Sequence, residues 1–314
     1  MKRDIRTRLF LIILLFPLIH GIGCGAAKSV YQKSADAVKS VSNSIRPGEK
    51  PILKKRILIS PVMDQAGVGE AKVSQLTDNL VQFLEKDGRL LVNRATGPAS
   101  SGANPRSPQY GIVIDPELIK RAEKIGMNVL ITSILHSFEV TTKKTGIWPW
   151  RKFKREVDIS MAVNAIDITN GTLFLTNIEE KKIMAPVEAS EGRKDKWETN
   201  DMILDKALSP MLKDHATAIL DALNNQPWTG KILPADNKAL RISGGNDIGI
   251  TKGNVFEVFG KGEAIHAKGG KDYYILGPKV GEIRADNIMR DYSTAVPLIG
   301  ERFQEGQVIR LKRK

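Results

Sequence analysis

The spacing of apolar residues changes repeatedly along the chain. Arg56-Ile-Leu-Ile-Ser-Pro-Val-Met63 is a short, β-branched apolar run, which predicts a strand buried on both faces. From Glu70 to Lys86, Val73, Leu76, Leu80, Val81, Phe83 and Leu84 recur at helical spacing, and Asp87-Gly88 closes the segment. Arg89 to Arg94 predicts a second strand. Asp115-Pro116 opens a second helix with proline in its first turn, running through Leu118, Ile119 and Ala122 to Gly126. Asn128 to Val140 then predicts a long strand. Between these, Ala95 to Tyr110 carries Gly97, Pro98, Gly102, Pro105 and Pro108 and predicts an exposed loop. Alternating strands and helices predict an α/β layer with crossover connections.

From Glu156 the period becomes two. Val157, Ile159, Met161, Val163 and Ala165 fall on one face of a strand, with Asp158, Ser160, Ala162 and Asn164 on the other. Asn170-Gly171 signals a hairpin, with Thr172 to Ile178 as the returning strand. Glu188 to Asp195 predicts an exposed charged linker. Leu204 to Leu223 is helical, with Leu208, Met211, Leu212, Ile219 and Leu220 on its apolar side and a break expected near Pro210.

Beyond Pro227 the rhythm shortens. Ala239 to Ser243, Val255 to Phe259, Val280 to Ile288, Ser293 to Ile299 and Val308 to Leu311 predict short strands between glycine turns, a small barrel. His266 falls in a glycine-rich loop of this stretch. Lys252-Gly-Asn-Val-Phe-Glu-Val and Glu305-Gly-Gln-Val-Ile-Arg-Leu repeat one turn-into-strand form. The expected fold is an α/β N-terminal domain (a mixed sheet with crossover helices) over 52–226, plus a small all-β C-terminal barrel over 228–314.

Composition matters most at the N-terminal end. Lys2, Arg3, Arg6 and Arg8 precede the apolar stretch Leu9 to Ile19, a signal-peptide pattern. The chain's one cysteine, Cys24, follows directly, so no internal disulfide can form. Ile22-Gly23-Cys24 resembles the end of a bacterial lipobox, with Gly21 where leucine is usual. That resemblance implies a signal peptide over 1–23, a covalent lipid on Cys24, a tether over 24–51, and an address on the periplasmic face of the outer membrane. An uncleaved anchor is disfavoured because Leu9 to Ile22 contains Pro17 and falls short of the roughly 20 residues a spanning helix needs. A conventional soluble signal is the third option.

The net charge of +13 favours anionic surroundings. Its densest cluster is Thr142 to Arg155, which holds six basic residues, no acid, and three aromatic rings. Trp148, Trp150, Arg151, Lys152, Phe153, Lys154 and Arg155 are the candidate contact residues for a membrane or partner, because basic heads meet anions while indoles sit at interfaces. The competing reading folds the tryptophans back onto the sheet. Export argues against nucleic acid. Catalytic motifs are missing: there is no G-x-S-x-G and no phosphate-binding loop. His136, His215 and His266 lack metal-ligand spacing, and Asp64 has no evident partner acid. The expectation is a non-enzyme without metal or cofactor beyond the lipid.

Residues 52 to about 140 resemble the α/β domain of CsgG-type secretion lipoproteins and the middle domain of FlgT-type flagellar proteins. The resemblance rests on Arg56-Ile-Leu-Ile-Ser-Pro-Val, Gly88-Arg-Leu-Leu-Val-Asn-Arg94 and Ala122-Glu-Lys-Ile-Gly-Met-Asn-Val-Leu-Ile-Thr-Ser-Ile. The final 75 or so residues are similar to the FlgT-type C-terminal domain, with Asn254 and Gln307 where aspartate is usual. This implies a non-catalytic scaffold or assembly factor for a flagellar ring or secretion apparatus, working as a homo-oligomer or with envelope-machine proteins. Binding of peptidoglycan or another anionic polymer is the alternative. A CsgG-like pore is a weaker one, since it needs two transmembrane hairpins and His136 to Ile168 offers one candidate.

Overall fold

The computed structural model describes residues 53–96, 116–186, 201–234, 240–266 and 272–312. The expected signal and tether with Cys24, most of the proline-rich loop and the Glu188–Asp195 linker lie outside them. Ile52–Lys314 forms one compact unit.

Seven strands build the first layer: β1 (Lys55–Ile59), β2 (Met63–Asp64), β3 (Leu90–Arg94), β4 (Val129–Leu135), β5 (Glu139–Thr145), β6 (Lys152–Asp167) and β7 (Leu173–Pro186). β1 lies parallel between β3 and β4, and β6 joins antiparallel to β4, β5 and β7, giving a mixed sheet. The first apolar run splits into β1 and β2 around Pro61, which has no N–H to donate to a ladder. Helix α1 (Glu70–Glu85) buries Leu76, Leu80 and Leu84, three positions four residues apart. It shares one face of the sheet with α3 (Asp201–Asn225), over Ile57, Ile59, Val157, Ile159, Met161, Val163 and Ala165. Helix α2 (Pro116–Lys124) covers the other face, with Leu118, Ile119 and Ala122 against Leu58, Leu130 and Ile166. The alternation read along β6 thus separates two cores.

Three boundaries differ from expectation. Helix α3 runs unbroken through Pro210. Pro210 and Lys206, whose carbonyl it leaves without an N–H partner, both lie on the exposed side of the helix. Neighbouring Ala207, Leu208, Met211 and Leu212 are buried, at roughly 1.5–3 kcal/mol for each large side chain, which outweighs a penalty of about 3 kcal/mol. The strand expected over 128–140 is two, broken at residues 136–138, and the second continues to Thr145. The returning strand β7 extends to Pro186, eight residues beyond Ile178.

The second layer is a closed six-stranded barrel in the order β10-β11-β12-β9-β8-β13. Its strands are β8 (Thr229–Leu233), β9 (Leu240–Ser243), β10 (Val255–His266), β11 (Asp272–Ile288), β12 (Tyr292–Ile299) and β13 (Val308–Leu311). Ile242, Phe256, Val258, Ile283 and Ile309 are fully buried inside, with Trp228 tilted against Phe256 at 5.9 Å. Two strands are not short: β10 and β11 have 12 and 17 residues. Their pairing, irregular at Phe259, Lys261 and Ala264, places His266 at a strand end rather than in a loop.

The repeated turn-into-strand motif is a repeated structure. Gly253 and Gly306 both have positive φ, 93° and 81°. The Asn254 side-chain oxygen accepts from the Thr251 N–H at 2.9 Å, and the Gln307 oxygen accepts from the Gln304 N–H at 2.9 Å. The two turns feed β10 and β13, which pair with each other. An amide at the usual aspartate position therefore supplies the acceptor that the turn needs. Asn254→Ala is expected to lower stability by about 1 kcal/mol in urea denaturation while Asn254→Asp does not. Equal losses in both variants would show that the acceptor is irrelevant.

A polar seam joins sheet and barrel. The Arg56 guanidinium donates to Asp247 at 2.7 Å and to the Asp291 carbonyl at 3.0 Å. Asn128 accepts from the Arg56 N–H and donates to the Thr229 carbonyl. Lys54 N–H donates to the Ile248 carbonyl at 2.9 Å, and Leu53 completes the barrel core. Lys55 Nζ donates to the carbonyls of Leu223 and Gln226 at the end of α3, where a cation is favoured. Burial pushes its pKa down to about 8, against the opposing pull of Asp167.

Candidate functional site

The contact residues read from sequence belong to a projecting part of the sheet. β4 pairs with Met161–Asp167 of β6, and β5 takes over at Lys152–Asp158. The His136 N–H bonds to the Ser160 carbonyl between them, so β4 and β5 run as one interrupted line along β6. β7 follows the other edge from Ile166 to Lys154. Past Ser160 the described sheet narrows to β5, β6 and β7, a three-stranded wing whose inner rungs at Glu156, Val157 and Ile159 are still buried against the body. Its outer rungs, from Arg155 to Lys152, extend about 10 Å at ~3.3 Å per residue.

Its end is the turn between β5 and β6. Gly146 has φ of +105°, and a Cβ there would lie 2.9 Å from the Trp150 carbonyl, so glycine lets the turn close. Trp148 and Trp150 are 75% and 79% exposed, and Ile147 is 83% exposed. The tryptophans therefore do not fold back onto the sheet. Arg151 and Lys154 are exposed, and Lys152, Phe153 and Arg155 lie in β6. Ile147, absent from the sequence-derived set, joins the two indoles at the tip. Its position between Gly146 and Trp148 was the available signal.

The register sets one pair of like charges opposite each other and the other basic residues opposite uncharged ones. Lys143 pairs with Lys154, Thr142 with Arg155 and Thr145 with Lys152. Directly opposed like charges destabilise a strand pair. Glu156, mostly buried at the base of the cluster, accepts from Lys143 at 2.6 and 2.7 Å. Lys182 on β7 pairs with Asp158 at 3.1 Å and, more distantly, with Glu156 at 3.9 Å. The tip presents apolar surface surrounded by cations; it holds no nucleophile and no paired carboxylates.

Other candidates are committed to structure. The Asp64 carboxylate accepts from the N–H groups of Ala66, Gly67 and Gly69 at 2.8–3.0 Å, fixing the turn into α1. His136 Nδ1 lies 3.3 Å from the Gln65 side-chain oxygen. His215 is fully buried on α3, with the Asn177 amide donating to its Nδ1 at 3.0 Å. Among the described residues no group of His, Cys, Asp and Glu could hold a metal ion, and no helix is long and apolar enough to cross a membrane. A cleft of about 280 Å³ lies between the β6–β7 turn and the barrel. Lys231 in its wall pairs with Glu123 at 2.6 Å. Asp167, also in the wall, has its pKa raised by burial, with hydrogen bonds from Thr169 opposing the shift. The cleft is part of the seam.

No family model matches the sequence, and no curated protein matches it. Solved structures give partial likenesses. PelC from Paraburkholderia phytofirmans, a dodecamer, is 10% identical with a TM-score of 0.30, covering 51% of this chain and 84% of that one. Lipoprotein GNA1162 from Neisseria meningitidis is 10% identical with a TM-score of 0.29, covering 55% and 99%. A putative neuraminyllactose-binding hemagglutinin homolog from Helicobacter pylori is 11% identical with a TM-score of 0.33, covering 58% and 92%. The likeness assigns no family. At such scores it carries no statement about role, oligomeric state or location of this chain.

Proposed function

We propose that the chain is a lipid-anchored protein of the bacterial envelope that works by contact rather than catalysis, as a scaffold or assembly factor on the periplasmic face of the outer membrane. The observation that carries this reading is the wing, which ends in exposed Ile147, Trp148 and Trp150 among cations. Folded proteins rarely hold such a cluster in water without a use for it. The signal-like Met1–Gly23 segment and Cys24 supply the anchor. The resemblance to CsgG-type and FlgT-type domains supplies the class of machine, a secretion apparatus or a flagellar ring, in which sister subunits or envelope proteins would be the partners.

Cys24 tests the anchor. Cells fed a clickable fatty acid should label the wild-type protein and not Cys24→Ser, and the variant should move from the membrane to the soluble fraction. Label retained by Cys24→Ser would refute lipidation there. The second reading, binding of peptidoglycan or another anionic polymer, draws on the net charge of +13. It predicts sedimentation with purified peptidoglycan that salt abolishes, whereas the scaffold predicts ring-shaped assemblies or co-purification with basal-body or secretion proteins.

A further inference from the structure

We infer that the β5–β6 tip is a membrane-docking element, seating Ile147, Trp148 and Trp150 in the headgroup region of an anionic phospholipid surface. This goes beyond the scaffold reading and does not depend on acylation of Cys24.

Three observations select a bilayer over a protein. First, the three apolar residues fall within four positions of one turn, with exposures of 75–83%, and sit at the extremity of the wing rather than on a broad face. A stable protein interface takes about 800 Å² and roughly 20 residues from each partner, which a two-stranded tip does not offer; a bilayer needs no matching shape. Second, tryptophan is the side chain enriched at the membrane–water boundary, where its ring is apolar and its N–H wet.

Third, the charge distribution is graded along the wing. The segment from Thr142 to Arg155 contains no acidic residue, and each of the four rungs nearest the tip carries at least one basic residue, opposite threonine, phenylalanine or another lysine. Among the described residues the carboxylates nearest the tip are Glu156 and Asp158, set back toward the body and engaged by Lys143 and Lys182. Repulsion among the outer cations opposes folding of the wing and is relieved against anionic headgroups. Negative charge near the tip would weaken docking, and among the described residues none lies beyond Glu156.

The test uses residues 24–314 carrying Cys24→Ser, so that neither an acyl group nor the apolar leader contributes. It measures co-sedimentation with vesicles of equimolar phosphatidylglycerol and phosphatidylcholine. Binding is expected on these and not on phosphatidylcholine alone. It should fall about a hundredfold for Lys144→Gln/Arg151→Gln/Lys154→Gln, and at least about tenfold for Trp148→Ser/Trp150→Ser. It should also fall in about 1 M salt, where screening shortens to about 3 Å. Unchanged thermal melting of both variants excludes a folding defect, as the mutated side chains are exposed. The inference fails if the wild type ignores anionic vesicles, if it binds neutral ones equally, or if the tryptophan variant binds as well as the wild type. It fails also if the tryptophan variant lowers the solution mass without vesicles, since the tip would then join copies of the chain. Failure here leaves labelling of Cys24 untouched, so the two readings fall separately.

Discussion

Alanine at Gly245 is expected to cost about 4 kcal/mol, enough to leave the protein largely unfolded or aggregated at 37 °C. Gly245 lies where the segment after β9 crosses the β11–β12 turn. A Cβ there would stand 2.2 Å from the Met289 carbonyl oxygen and 2.5 Å from that of Arg290. Both are backbone atoms, so no rotamer change relieves the clash. Those same carbonyls accept from the N–H groups of Asn246 and Asp247, and the Gly244 N–H donates to the Asp291 carbonyl. Moving the two segments apart would break this row of bonds and pull Asp247 from Arg56. Gly88 is the control: a Cβ there meets nothing within 4 Å, so Gly88→Ala should be neutral or slightly stabilising. Urea denaturation of the two variants reads the difference. Equal midpoints would show that the crossing tolerates a side chain.

Acid is expected to destabilise the protein through His215 by up to about 3 kcal/mol between pH 6.5 and 4. Burial pushes this imidazole down to about 4, and Glu179 opposes the shift only in part. Between the unfolded value near 6.5 and the folded one, the unfolded chain binds the extra proton and the native state does not. Stability conferred by neutral His215 is therefore complete above pH 6.5 and declines as pH falls toward 4. The charged groups around it are Glu179 from β7 and Asp214 from α3, and Asn177 on β7 supplies the hydrogen bond. Glutamine at 215 keeps a polar side chain that does not titrate. Stability profiles of wild type and His215→Gln should converge as pH falls from 7 to 4. Parallel profiles would exclude the histidine as the source.

What the sequence revealed was set by burial. In β6, five alternating residues from Val157 to Ala165 are all fully buried, so the period-two signal was complete. Helix α1 was equally plain, because Leu76, Leu80 and Leu84 form its inner stripe. The outer half of β7 gave no such signal. Glu179, Glu180, Lys181 and Lys182 are paired to β6 through backbone bonds, which hydropathy does not report. β5 is exposed along nearly its whole length for the same reason. Pro210 looked like a terminator because its local penalty is visible in the sequence, whereas the packing that offsets it is tertiary. Barrel closure depends on β8 meeting β13 nearly 80 residues away, a pairing that local patterns cannot specify.

The candidate site followed the same division. Trp148, Trp150 and their basic neighbours stood out by composition alone. Their exposure depended on a fact no local pattern holds: the tip lies beyond the described strands and helices of the body. Asn254 and Gln307 stand in the sequence where aspartate is usual in the FlgT-type domains it resembles. In the fold both are turn acceptors, a role that aspartate, asparagine and glutamine can share.

The entry of the chain into the fold has a mechanical consequence. Leu53 sits in the barrel core, Lys54 bonds to the barrel backbone, and Arg56, already in the sheet, reaches Asp247. A pull on the segment before Leu53 therefore loads sheet and barrel together at their junction, rather than peeling one free edge. Stretched between its N-terminal end and a load on either the sheet or the barrel, the folded body would bear tension as a single piece.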